Sequence, residues 1–280
     1  MKKYSLIATD LDGTLISRVG LFPKKNKEAL EYLKEKDVIL VASTGRNYPL
    51  LHGETSNLPY FDYYITSNGA CLYQANPLQL ISSHLIKYET LKSFVTSVLP
   101  LSSGLRLLYL DRVMAIEDDF FRSLTVLSKV YPKKAKMLKT YLSNFTIAED
   151  MLKYIDEHIE DVTKIDVNLK GDKEYQEYLE ILKNYPSLHS CLCFKNSVEV
   201  TDIIATKGKT LSDLTDSISI NKDEVLGFGD SGNDLSIKDE GFDFCALKNS
   251  SKWVKDKADY VTKKNAGSAG FADFIFKNIK

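Results

Sequence analysis

Apolar residues in this chain fall into short runs separated by amphipathic stretches. Residues 5–9, 38–42, 63–66, 225–228, 242–246 and 259–261 are too short for helices and mostly apolar, which predicts strands buried on both faces. Helical patterns stand between them. Residues 24–36 carry Ala29, Leu30 and Leu33 on one stripe, and Pro23 precedes them with a backbone fitted to a helix start. Further helices are predicted at 48–57, from Lys207 onward with Leu211 and Leu214, at 251–257 and at 269–280, and residues 71–82 read as a hairpin-like piece. Strands alternating with helices specify a doubly wound α/β core with a parallel sheet covered on both faces.

The middle of the chain breaks this habit. Strand-like runs at 105–110 and 113–116 are joined by Asp111-Arg112. They are followed by a run at 163–168, a helix at 173–184 and a strand at 190–194. This pattern is a mixed α+β unit inserted into the outer one. The expected organisation is a Rossmann-like core of residues 1–83 and 195–280, with an inserted cap of residues 84–194. The chain crossings near 82–84 and 194–196 are then expected to act as hinges.

Composition narrows the function classes. A length of 280 residues suits two cores, and a formal net charge of −1 provides no field to draw the molecule to nucleic acid or a membrane surface. The local basic cluster Lys133, Lys134, Lys136 and Lys139 reads as a solvated helix face. No apolar run approaches a membrane span, and Met1-Lys2-Lys3 leads into a short strand rather than a signal-peptide core. A cytoplasmic protein is expected, a monomer or weak homo-oligomer whose partner is a small molecule. Cys71, Cys191, Cys193 and Cys245 show no zinc-type pairing with His52, His84, His158 or His189, and are expected to be buried thiols.

The candidate chemistry gathers at the ends of the predicted core strands. Asp10-Leu11-Asp12-Gly13-Thr14-Leu15 follows the first strand, and in an open parallel sheet this carboxyl edge is where ligands bind. Two acids so close require a cation or a catalytic task. The second strand ends in Ser43-Thr44-Gly45-Arg46, whose hydroxyl, free N–H groups and guanidinium suit an anion. Thr206-Lys207-Gly208-Lys209 opens a helix. Gly229-Asp230-Ser231-Gly232-Asn233-Asp234 follows another strand with oxygen ligands that suit Mg2+. Gly227, Gly229 and Gly232 also spell a dinucleotide-binding spacing, but Asp230 stands inside that loop, where it would repel a pyrophosphate, and no acidic ribose partner ends the next strand. Two acids, a hydroxyl, a lysine and a second acidic cluster on one sheet edge fit phosphoryl transfer through an aspartyl-phosphate.

In this order the motifs resemble the haloacid dehalogenase superfamily, specifically the Cof-type phosphatases with a large α+β cap. The matching segments are Asp10-Leu11-Asp12-Gly13-Thr14, Thr44-Gly45-Arg46, Ser67-Asn68-Gly69-Ala70, Lys207-Gly208 and Gly229-Asp230 through Asn233-Asp234. The resemblance implies Asp10 as nucleophile and Asp12 as general acid and base, with Thr44 and Lys207 on the phosphoryl oxygens. Gly45, Arg46 and Asn68 would complete the phosphate site. Mg2+ would be bound by Asp10, the backbone carbonyl of Asp12 and Asp230, with Asn233 and Asp234 supporting it. Ala246-Leu247-Lys248-Asn249-Ser250 departs from the family's Met-Gly-Asn-Ala run, without touching the catalytic set. The expected activity is a Mg2+-dependent phosphatase for small phosphorylated metabolites such as sugar phosphates or flavin mononucleotide. A phosphomutase shares every motif. A signalling receiver would need its phosphorylated aspartate at the end of the third strand, where Thr66-Ser67-Asn68 stands. A silent binding module would be expected to lack Asp10 or Lys207.

Overall fold

The computed structural model describes residues 3–18, 20–51, 59–116 and 145–279, with Phe194 described by its backbone alone. In chain order the strands are β1 (Leu6–Thr9), β2 (Ile39–Ser43), β3 (Tyr63–Thr66), β4 (Cys71–Ala75), β5 (Leu78–Ser83), β6 (Ser102–Leu108), β7 (Val113–Ile116), β8 (Phe145–Ala148), β9 (Lys164–Leu169), β10 (Leu188–Phe194), β11 (Ser197–Asp202), β12 (Val225–Gly229), β13 (Asp243–Ala246) and β14 (Tyr260–Val261). The helices are α1 (Lys24–Glu35), α2 (Tyr88–Val98), α3 (Met151–Glu157), α4 (Asp172–Leu182), α5 (Lys207–Ser217), α6 (Leu235–Asp239), α7 (Lys252–Lys257) and α8 (Gly270–Asn278).

The chain divides into two compact units. One comprises residues 1–45, 59–83 and 205–280, the other residues 46–58 and 84–204. In the first, eight strands run in the order β14-β13-β12-β1-β2-β3-β4-β5. The pairs from β14 through β3 are parallel, and β4 and β5 close the edge as an antiparallel hairpin. Every residue of β1 is buried, as a central parallel strand requires. Leu6, Ala8, Val41 and Ile65 pack with Leu211, Leu214, Leu235 and Ile237 of α5 and α6. Phe228 meets Phe271 and Phe274 edge-on, with ring centroids 4.9 and 5.4 Å apart. Fully burying one such ring stabilises the fold by roughly 1.5–3 kcal/mol.

The second unit is a six-stranded sheet in the order β10-β11-β9-β6-β7-β8, antiparallel except for the β7–β8 pair. Leu91, Phe94, Val95 and Val98 of α2 cluster with Leu105, Leu107, Ile165, Val167 and Tyr178. The second chain crossing lies at 204/205, not at 194–196. Residues 194–197 form the turn of the β10–β11 hairpin, and β11 pairs with β9 as well, so residues 195–204 belong to this unit. Of the helix expected over residues 48–57, only the first four residues are described, and they depart from it. Tyr48–Leu51 is a single 3-10 turn, and the rest of that stretch lies outside the described residues. This segment belongs to the second unit, where the Asn47 amide donates to the carbonyls of Tyr109 and Arg112 at 2.9 and 3.0 Å.

The Lys133–Lys139 cluster lies outside the described residues. Cys71 and Cys245 are buried, whereas Cys191 and Cys193 are only half-buried, because β10 is an edge strand. Among the described residues no helix is long and apolar enough to cross a membrane.

Candidate active site

The site of the first unit is built where its strand order reverses. From β1 the sheet continues through β2 and β3 on one side and through β12 and β13 on the other. Asp10 follows β1 at this switch point. Its N–H donates to the Phe228 carbonyl at 2.9 Å, so its backbone stays in the ladder while its side chain, 9% exposed, leaves the strand end. The chain then folds back tightly, with Gly13 N–H donating to Ile16 O and Ile16 N–H to Leu11 O. Gly13 has φ +91°, and a side chain there would strike the Asp230 carboxylate. Buried Asn26 pins this loop from α1. It donates to the Leu15 carbonyl at 2.8 Å and accepts from the Ala272 N–H at 3.1 Å.

The loop after β12 supplies Asp230 and Asp234. Asp234 Oδ2 accepts the N–H groups of Asp230 and Ser231, each at 3.0 Å, which ties the loop to its own carboxylate. Its Oδ1 accepts Lys207 Nζ at 2.7 Å, and the same ammonium donates to Asp10 Oδ1 at 2.8 Å. Lys207 is 1% exposed and is the first residue of α5, whose start is capped by the Thr206 hydroxyl accepting from Lys209 N–H. Gly208 lets α5 approach α6, since a side chain there would collide with the Ser236 carbonyl.

Asp10, Asp230 and Asp234 each offer an oxygen within 4.8 Å of the others, and all three side chains are buried. At that spacing and an effective dielectric of about 20, two carboxylates repel by roughly 3–4 kcal/mol. Burial first, then repulsion from Asp234 and Asp230, pushes the Asp10 carboxyl well above its ordinary range despite Lys207. Burial and Asp234 raise Asp230 likewise, against the opposing pull of Arg18. Burial alone would lower Lys207, but Asp10 and Asp234 overcome it and hold the ammonium protonated. The residues fit a small hard cation. Their donors are all oxygens, the acids outnumber the lysine, and Asn233 Oδ1 in the same loop is a buried acceptor with no hydrogen-bond partner.

Asp12 is exposed beside this cluster, and its backbone bridges to Ile16. Thr44 is buried after β2. Its carbonyl accepts the Asn68 N–H at 3.1 Å, and Asn68 Oδ1 accepts the Asn233 amide at 2.9 Å. Gly45 closes the first stretch of this unit, and Arg46 falls in the second unit, where its guanidinium donates to the Leu50 carbonyl at 3.2 Å. Two contributors were not singled out from the sequence. Arg18 donates to Asp230 Oδ2 at 2.8 Å. Asn249 donates to Gly13 O at 2.8 Å and to Asp230 Oδ2 at 3.3 Å, and accepts from Ala266 N–H at 2.9 Å. The run 246–250 therefore does reach the acidic cluster through Asn249, while Lys248 is exposed.

Known proteins share this fold. The profile of the haloacid dehalogenase-like hydrolases matches residues 7–275. A 5-amino-6-(5-phospho-D-ribitylamino)uracil phosphatase of Bacillus subtilis is 23% identical, over 93% of this chain and 90% of its own. The pyridoxal phosphate phosphatase of Escherichia coli is 22% identical over 98% of both chains. In fold, a haloacid dehalogenase-like hydrolase from B. subtilis superposes with a TM-score of 0.86 at 20% identity, covering 99% of this chain and all of the other. A subclass IIB sugar phosphatase of the same superfamily gives 0.79 at 21% identity over 98% of each. With the profile spanning nearly the whole sequence, the chain belongs to the haloacid dehalogenase-like hydrolase family.

Proposed function

We propose that this family member is a Mg2+-dependent phosphatase that cleaves small phosphorylated metabolites through a phosphorylated Asp10. Family membership, and whole-length relatives that are phosphatases, make it a phosphatase of phosphorylated small molecules. The metal, the covalent intermediate and the residue roles are our reading. The observation that carries it is the buried Lys207 ammonium shared between Asp10 and Asp234, with Asp230 completing a cluster of oxygen donors at the end of β1.

In this mechanism Asp10 attacks phosphorus, and the bond from phosphorus to the substrate oxygen breaks. Asp12 gives its proton to the leaving alkoxide. A water molecule then attacks the aspartyl-phosphate and returns a proton to Asp12. The bond between Asp10 and phosphorus breaks, releasing inorganic phosphate and restoring the carboxylate. Lys207 keeps Asp10 oriented and offsets phosphoryl charge, and Thr44 and Asn68 donate to the phosphoryl oxygens. Asp10, the Asp12 carbonyl and Asp230 would hold Mg2+, with Asn233 and Asp234 fixing the loop that presents Asp230. The bound cation supplies charge neutralisation of the transferring group. The cap of the second unit would select the leaving group.

The test is release of inorganic phosphate from a panel of sugar phosphates, flavin mononucleotide and pyridoxal phosphate, with Mg2+ and with excess chelator. Mg2+-dependent release without an added bisphosphate activator supports the reading. Full release in chelator, or no release from any monoester, contradicts it.

A further inference from the structure

Asp230 is the member of the acidic cluster that Lys207 does not touch. Its cationic partner is Arg18, 2.8 Å from Oδ2, with the guanidinium side chain 55% exposed and the carboxylate 1% exposed. The same oxygen accepts the Asn249 amide at 3.3 Å, and Oδ1 accepts the Ser231 hydroxyl at 3.3 Å. Arg18 stands on the turn after the Asp10 loop. There Ser17 N–H donates to Leu21 O, Gly20 N–H to Ser17 O, and Leu21 N–H to the Ser17 hydroxyl. These bonds hold the backbone at Ser17, and the half-exposed Arg18 side chain reaches the carboxylate from there.

This arrangement puts two cations in competition for one carboxylate. A metal ion on Asp230 needs an oxygen lone pair and brings positive charge to within a few ångströms of the guanidinium. Arg18 spends part of that lone-pair capacity and repels the ion. Asn249 and Ser231 are neutral and orient the carboxylate without that repulsion.

We propose that Arg18 is an internal counter-ion for Asp230 that sets the enzyme's Mg2+ affinity: it holds the carboxylate when the metal is absent and swings into solvent when Mg2+ binds. The inference rests on the metal site of the proposed function and adds to it a residue that opposes the ion. A half-exposed arginine can make this exchange because water receives its charge at little cost, whereas buried Lys207 has no such exit.

The experiment is calorimetric titration of the full chain with Mg2+ alone, at low ionic strength, for wild type, Arg18→Gln, Arg18→Lys and Asp230→Asn. Arg18→Gln should bind Mg2+ on the order of three- to tenfold more tightly than wild type, the span expected for losing a half-exposed charge from a buried carboxylate. Arg18→Lys should stay nearer wild type, and added NaCl should narrow the gap between wild type and Arg18→Gln. Arg18 with a purely structural role would give equal or weaker binding in Arg18→Gln, and that result overturns the proposal. Absence of Mg2+ binding in wild type overturns the metal site and this inference with it. An intact affinity difference, abolished by Asp230→Asn, supports the proposal even where no phosphate ester is hydrolysed, so failure of the phosphatase reading is separately visible.

Discussion

Replacing Lys207 with alanine removes the one ammonium that Asp10 and Asp234 share, and leaves two carboxylates buried beside a third. Breaking a buried ion pair by deleting one partner costs about 3–5 kcal/mol, because the remaining charge keeps its desolvation penalty. In a chain of this size that corresponds to a melting temperature lower by on the order of 10 °C. Mg2+ should recover part of the loss, since it offers a second source of positive charge to the same oxygens. Turnover should fall by roughly 10²–10³, the usual effect of losing a preorganised group that stabilises developing charge. Lys209→Ala is the control. That side chain is 45% exposed and pairs with Asp213 four residues along α5, an arrangement worth about 0.3–0.5 kcal/mol. Denaturation in chelator and in Mg2+, with steady-state hydrolysis of p-nitrophenyl phosphate, measures both effects. Equal losses in the two variants, or a folded Lys207→Ala protein with near-normal kcat, would refute the reasoning.

Other outcomes follow from the same geometry. Asp10 and Asp230 sit above the ordinary carboxylate value of 3.8, so their contribution favours the fold below about pH 4 and is lost as pH rises through the raised folded values. The metal-free protein should therefore lose this contribution as pH rises above about 4, and the Mg2+-induced rise in melting temperature should grow with pH in thermal melts; a Mg2+ effect largest at the acid end contradicts this. Asn26→Leu strands the Leu15 carbonyl and the Ala272 N–H, and should cost about 1–3 kcal/mol in urea denaturation; a loss of only a few tenths would show that the amide does not pin the loop.

The inner strands of the core were legible because they are buried on both faces and so read as plain apolar runs, whereas the edge strand β14 is exposed. β3 and β7 match their sequence-based bounds, and β1 and β12 agree to within a residue at one end. β11 was not, although Val198 and Val200 alternate correctly. Its intervening Glu199 is turned to buried Lys164, 2.9 Å away, so its polar position answers a partner far along the chain rather than solvent. The acids and Lys207 stood out because their spacing has no local structural purpose. Arg18 and Asn249 did not, since their significance lies in which loops meet. Asn249 joins Gly13, Asp230 and Ala266, contacts that no local pattern encodes. Arg46 follows Thr44-Gly45 directly, and the chain passes into the second unit at that residue, a boundary that no local pattern marks.

Chemical trapping of the phosphoryl group on the enzyme addresses the mechanism most directly. Asp12→Asn should react with p-nitrophenyl phosphate, whose leaving group needs no proton, and then stall because no base activates water. Acid quenching followed by borohydride reduction converts an aspartyl-phosphate to homoserine, which peptide mass spectrometry locates. Homoserine at position 10, dependent on substrate and Mg2+, is the predicted result. Turnover by the wild type with no reducible adduct at Asp10 in the stalled variant, or with the adduct at another carboxylate, would contradict the proposed mechanism.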